Sequence, residues 1–229
     1  MKFFIENKEL DSELESIINR IRLRMNGTTV GQMEGRGIRY RVNYGVGFPH
    51  LKELASMHRS DYTLAERLWH KEIRETMLLA AMLVPAKEMT IERCRDWAAL
   101  INNIDLVERT SMLLWGQLPI ADELVNEWRE ADNKWLQILS NYTKGWSVYY
   151  SQKTSTQEID NLINDRLWQE DYFYLKSIAF AVKKMLRVNG ISTPKLKNWV
   201  KEASQSESEP LKITAQDIIS EIQFVDEGK

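Results

Sequence analysis

Ile73-Arg74-Glu75-Thr76-Met77-Leu78-Leu79, closed by Pro85, and Val107-Glu108-Arg109-Thr110-Ser111-Met112-Leu113, closed by Pro119, write one pattern twice, 34 residues apart. Each copy is an apolar helical stretch stopped by proline. A period near 34 with two helices per unit is the signature of a stacked helical repeat. Leu68-Trp69 with Ala80 recurs as Leu167-Trp168 with Ala179, an offset of 99 and close to three such periods. The reading is an all-α protein, an α-solenoid of HEAT-like helical repeats forming an alpha-alpha superhelix. Neighbouring repeats bury a shared core and leave a curved inner face for a partner.

Working outward, the first helix is marked by Leu10, Leu14, Ile17, Ile18 and Ile21 on one stripe, with an expected stop at Asn26-Gly27. A glycine-bearing loop is expected over Gly27, Gly31, Gly35 and Gly37. No Gly-Lys-Ser/Thr follows it and no strand precedes it, which excludes a phosphate loop. From Tyr44 onward the pattern predicts helices at 48–57, 61–71, 73–83, 90–101, 104–116, 120–130, 132–144, 156–166, 171–188 and 194–203. Gly145 and Gly190 read as stops. No segment alternates with a period of two, so no sheet is expected. Ser204 to Pro210 reads as a polar linker, with a last amphipathic helix from Ile213 to Phe224. The domains expected are residues 1–190, the HEAT-like repeat domain, and 191–229, a C-terminal helical extension with an acidic linker.

Composition narrows the function classes. The chain has 229 residues, 43% hydrophobic and 28% charged, with a net charge of −2. Its single cysteine, Cys94, allows no internal disulfide and suits a reducing cytoplasm. The start turns acidic at once, unlike a signal peptide, and the apolar run from Met77 to Ala86 is too short to cross a bilayer. His50, His58 and His70 show no metal-ligand spacing with Cys94, so neither metal nor cofactor is expected. The eight tryptophans are expected to be mostly inter-helix core. Charge is distributed unevenly. Residues 20–41 carry six arginines against Glu34 alone, and residues 202–229 are strongly acidic. Lys176, Lys183, Lys184 and Arg187 recur on one side of a helix, the geometry that tracks a phosphate backbone. Arg36, Arg39 and Arg41, beside glycines, could clamp a duplex from one end.

Tyr44-Gly45-Val46-Gly47-Phe48-Pro49-His50-Leu51-Lys52-Glu53-Leu54-Ala55 resembles the opening motif of the DNA alkylation repair family, HEAT-like alkylpurine DNA glycosylases. The stretches 65–69 and 73–80 are similar to the next two family helices. Residues 89–97 and 103–108 are similar to its catalytic region, and 175–187 to its closing helix. The resemblance covers about residues 1–190. It implies a double-stranded DNA partner, alkylated or otherwise damaged, held in a concave basic groove. It also implies hydrolytic release of cationic N3- or N7-alkylpurines by a monofunctional glycosylase. A carboxylate would stabilise the developing sugar cation, with an aromatic ring one helical turn before it. Those two positions are Glu108 and Ile104, with Asp105 the alternative carboxylate. The resemblance places a further arginine around Asn133-Lys134, where Lys134 is the basic residue, and a last aromatic near Phe180 or Ala181; Phe180 and Trp135 are the candidate groove aromatics. Two other readings stand beside excision: a relative that binds damaged or branched DNA without base release, and a protein-binding scaffold. A monomer is expected. The sequence leaves the role of the acidic tail open; if the tail shields the groove, deleting residues 204–229 would tighten DNA binding.

Overall fold

The computed structural model describes residues 4–163 and 171–227. Among these residues the chain is helical, and the single β-bridge joins Val42 to Ile73. Two compact units part between Leu114 and Trp115.

The first unit holds α1 (Lys8–Arg22), α2 (Gly27–Gly35), α3 (Phe48–Ser56), α4 (Tyr62–Trp69), α5 (Arg74–Leu83), α6 (Ile91–Ala98) and α7 (Ile104–Leu113). Side-chain caps start most of them: Asn7, Asn26, Asp61, Thr90 and Asn103 each accept a backbone N–H two or three positions into the helix. Its core centres on α5, which packs on α3, α4 and α7, while α4 meets α6 through a pair of tryptophans. The Trp69 and Trp97 rings stack 4.6 Å apart and 7° from parallel, and Trp69 Nε1 donates to the Trp97 carbonyl at 3.2 Å. That pair buries two of the largest apolar surfaces in the chain.

The second unit holds α8 (Ala121–Arg129), α9 (Lys134–Ser151), α10 (Thr156–Ile163), α11 (Tyr172–Asn189), α12 (Pro194–Ser204) and α13 (Glu209–Glu227). Here α9 and α11 form the central pair. Asn141 Nδ2 donates to Ser177 Oγ across them at 2.9 Å, in a fully buried contact. Trp115 and Trp128 meet edge to face at 5.5 Å. The core reading of the tryptophans therefore holds for Trp69, Trp97, Trp115, Trp128 and Trp199, whereas Trp135 and Trp146 are half-buried. The Leu167-Trp168 copy of the repeat lies outside the described residues.

Four expectations from the sequence are corrected. Residues 27–35 form a helix, not a loop, and Asn26 starts it rather than ending α1. The i, i+4 spacing of Gly27, Gly31 and Gly35 places all three on one face that meets open space, so no packing is lost there. Gly145 does not end α9, which runs on to Ser151 and closes at Gln152 in the left-handed conformation. Its glycine is needed for close approach: a Cβ there would sit 2.6 Å from the Phe180 ring. The helix predicted over 104–116 breaks after Leu113 and resumes as a 3-10 turn at Trp115–Gln117. Finally, the linker is shorter than the Ser204 to Pro210 expected, only Gln205 to Ser208 lying outside helix. α13 already begins at Glu209, with Pro210 in its first turn, where a missing N–H costs nothing. It packs on α11 and α12 through Ala215, Ile218 and Ile222.

Candidate nucleic-acid interface

In the first unit the site grows from Glu75. Its side chain has 0% exposure, yet it is ionisable, so it needs partners. It finds them in the opening motif: the N–H groups of Tyr44 and Val46 each donate to it at 3.1 Å. Gly45 between them has a φ of 69°, and a Cβ there would meet the Asn26 carbonyl oxygen at 2.3 Å, so only glycine fits this turn. The motif thus reads as a backbone clasp around a buried carboxylate.

Arg74, the neighbour of Glu75, is also buried. Its Nε donates to Asp105 Oδ2 at 2.7 Å, and its Nη1 reaches the Val46 carbonyl at 3.2 Å and Glu75 Oε1 at 3.4 Å. Tyr40 donates its hydroxyl to the same Asp105 oxygen at 2.9 Å, and Arg109 Nε stands 3.7 Å from the other. Burial opposes the Arg74 charge, but Asp105, with Tyr40 and Glu75, outweighs it and the net shift is upward. Burial, then Asp105, pushes the Tyr40 phenol well up, so it stays a donor. Asp105 is therefore tied into an ion network that joins α5, α7 and the segment before α3.

Ile104 is 6% exposed and belongs to the core. Glu108, one turn on, is half-buried. Arg36, Arg39 and Arg41 are all exposed. The Asn103 side chain holds the Arg39 carbonyl at 3.3 Å, which fixes this arginine segment beside the start of α7. Arg41 Nη2 donates to the Lys71 carbonyl at 2.8 Å.

The second unit carries the remaining candidates. Lys134 pairs with Asp171, which caps α11 through the N–H groups of Phe173 and Tyr174. Burial works against the Asp171 carboxylate, but Lys134 and these amides hold it below its usual range. Trp135 leans on Phe173 at 6.3 Å, while Phe180 packs against Tyr142 at 4.7 Å, so the two expected groove aromatics occupy different clusters. Along α11, Lys176 is exposed. Lys183 binds both Asp217 oxygens at 2.7 Å, and Arg187 binds both Glu221 oxygens at 2.6 and 2.8 Å. Two of the four cations expected to track phosphate thus face carboxylates of α13. Lys184 lies over aromatic rings instead.

Sequence spacing missed the Arg74–Asp105–Tyr40 network, because its members sit on three segments far apart in the chain. It also missed Glu66, His70 and Asp96, whose donor atoms lie within 4.8 Å of one another across α4 and α6, a group with the reach to hold a cation. His70 Nε2 is 3.1 Å from Asp96 there, while His58 meets Glu13 and His50 meets Glu53. Among the described residues no helix is long and apolar enough to cross a membrane.

Stacked helical pairs with capped starts and a buried tryptophan seam define a HEAT-like repeat protein. One solved structure shares this fold with a TM-score of 0.72 at 14% sequence identity, covering 94% of each chain. It is described as a new family of proteins related to the HEAT-like repeat DNA glycosylases with affinity for branched DNA structures. A family model, DNA alkylation repair enzyme, matches residues 18–186, and the chain belongs to that family. No curated protein matches the sequence.

Proposed function

We propose that this protein binds DNA, branched or distorted DNA in preference to plain duplex, and does not excise alkylated bases. The observation that carries the reading is the pair of residues at the start of α7. Ile104, at the position the resemblance gives to the ring, is an aliphatic core residue. Asp105 is committed to Arg74 and Tyr40. A site that must stabilise a sugar cation needs a carboxylate aimed at substrate and an aromatic face beside it. Glu108 alone supplies half of that set. DNA binding is supported by family membership and by the exposed Arg36, Arg39 and Arg41. The preference for branches rests on the description of the structural relative.

Fluorescence anisotropy with a four-way junction and a linear duplex of equal length tests this. Affinity should fall with salt, the slope of log K against log salt being about −0.9 per phosphate contact. The junction should bind more tightly. Equal affinity for both DNAs, or none for either, would sink the proposal.

A further inference from the structure

The strongest feature not absorbed by this reading is an aromatic cluster on the second unit. Trp146, Tyr149 and Tyr150 fall at i, i+3 and i+4 on α9, so they share one face. Trp146 and Tyr150 stack at 5.8 Å and 27°, and Tyr149 stands edge-on to both at 5.4 and 5.3 Å. Core aromatics do this routinely, but these are at the surface: Tyr149 is 47% exposed and Tyr150 is 43% exposed. The close approach at Gly145 lets the Phe180 ring slide under the cluster, and one turn later α11 delivers Lys184. The Lys184 ammonium sits 4.4 Å from the Tyr149 centroid and 4.6 Å from that of Trp146. Burial, with Arg187 next in weight, holds its pKa below the usual lysine range.

We propose that Trp146, Tyr149 and Tyr150, with Lys184, form a stacking site for an unpaired nucleobase of a DNA strand. The inference rests on the DNA-binding reading above and names which part of the nucleic acid this surface takes. Rings exposed in this number are costly unless something covers them, and every base offers a π-face to cover them with. A cationic guest is disfavoured, because Lys184 already occupies the face that attracts a cation. A nucleotide satisfies both parts at once, its base against the exposed parts of the tyrosine rings and its phosphate against Lys184. Lys176 lies on the same side of α11, at i and i+8, and extends the positive edge along which a strand would run. Paired bases are stacked within a duplex and cannot use such a site, whereas a branch or flap supplies free ones.

The test compares three full-length proteins, wild type, Tyr149→Ala/Tyr150→Ala and Tyr149→Phe/Tyr150→Phe. Each is titrated against a duplex bearing a single-stranded flap and the same duplex without it. The alanine pair should lose about tenfold in affinity for the flap substrate, as removal of a stacking ring does. Duplex affinity should stay within about twofold, and the phenylalanine pair should bind the flap as wild type does, because stacking needs the ring and not the hydroxyl. Wild-type flap affinity in the alanine pair, or equal losses on both DNAs, overturns the stacking site alone. A wild-type protein that binds neither DNA overturns the DNA-binding reading and this site together.

Discussion

Arg74→Met is expected to cost about 3–5 kcal/mol, because it removes one side of a buried charge network and leaves the other in place. Methionine fills much of the arginine stem volume, so the loss is electrostatic rather than a cavity. Asp105 would keep the Tyr40 hydroxyl and the more distant Arg109, but lose its 2.7 Å partner. Glu75 would keep two backbone N–H groups and no guanidinium. Both carboxylates would then be held in a low-dielectric site with too few counter-charges. For a chain of this size the thermal midpoint should drop by roughly 10 °C. Adding Asp105→Asn should restore part of that, because a buried pair removed on both sides costs less than one removed on a single side. A single variant that melts with the wild type would show that the network contributes little.

The second large effect concerns α13. Asp217→Asn with Glu221→Gln should raise DNA affinity by roughly 10–100-fold near 0.1 M salt. The two carboxylates hold Lys183 and Arg187 in bidentate contacts. Neutralising them frees two cations for phosphate, and the salt slope should steepen by up to about two contacts' worth. The amides preserve the shape of α13, whose Ala215, Ile218 and Ile222 remain packed. Deleting residues 204–229, the experiment the sequence invites, would strip that apolar cover from α11 and confound stability with binding. Unchanged affinity and an unchanged slope in the double variant would show that α11 does not meet DNA.

How much of this was legible in the sequence depended on where the determining contacts lie. The helices of the repeats follow from periodicity and local caps, which are properties of neighbouring residues, whereas the opening motif was legible only through its resemblance to a known family. Gly145 was misread because its role is set by Phe180, which follows it by 35 residues and lies on another helix. The glycines of α2 were misread as breakers, since only the structure shows that their shared face packs against nothing. Candidate cations were legible as residues but not as free or engaged ones. Nothing near Lys183 and Arg187 announces that Asp217 and Glu221, both 34 residues on, will bind them. The same holds for Asp105, a first-turn helix carboxylate whose place in the ion network is decided by Tyr40 and Arg74.

The claim that this member of the alkylation repair family binds DNA without excising bases is tested most directly by chromatography of bases released from methylated duplex DNA. Wild-type protein and Glu108→Gln are incubated with it side by side. No methylpurine above the protein-free background in either reaction is the predicted result. Release by the wild type that disappears with Glu108→Gln would contradict it, and would assign Glu108 the role of charge stabiliser without an aromatic partner.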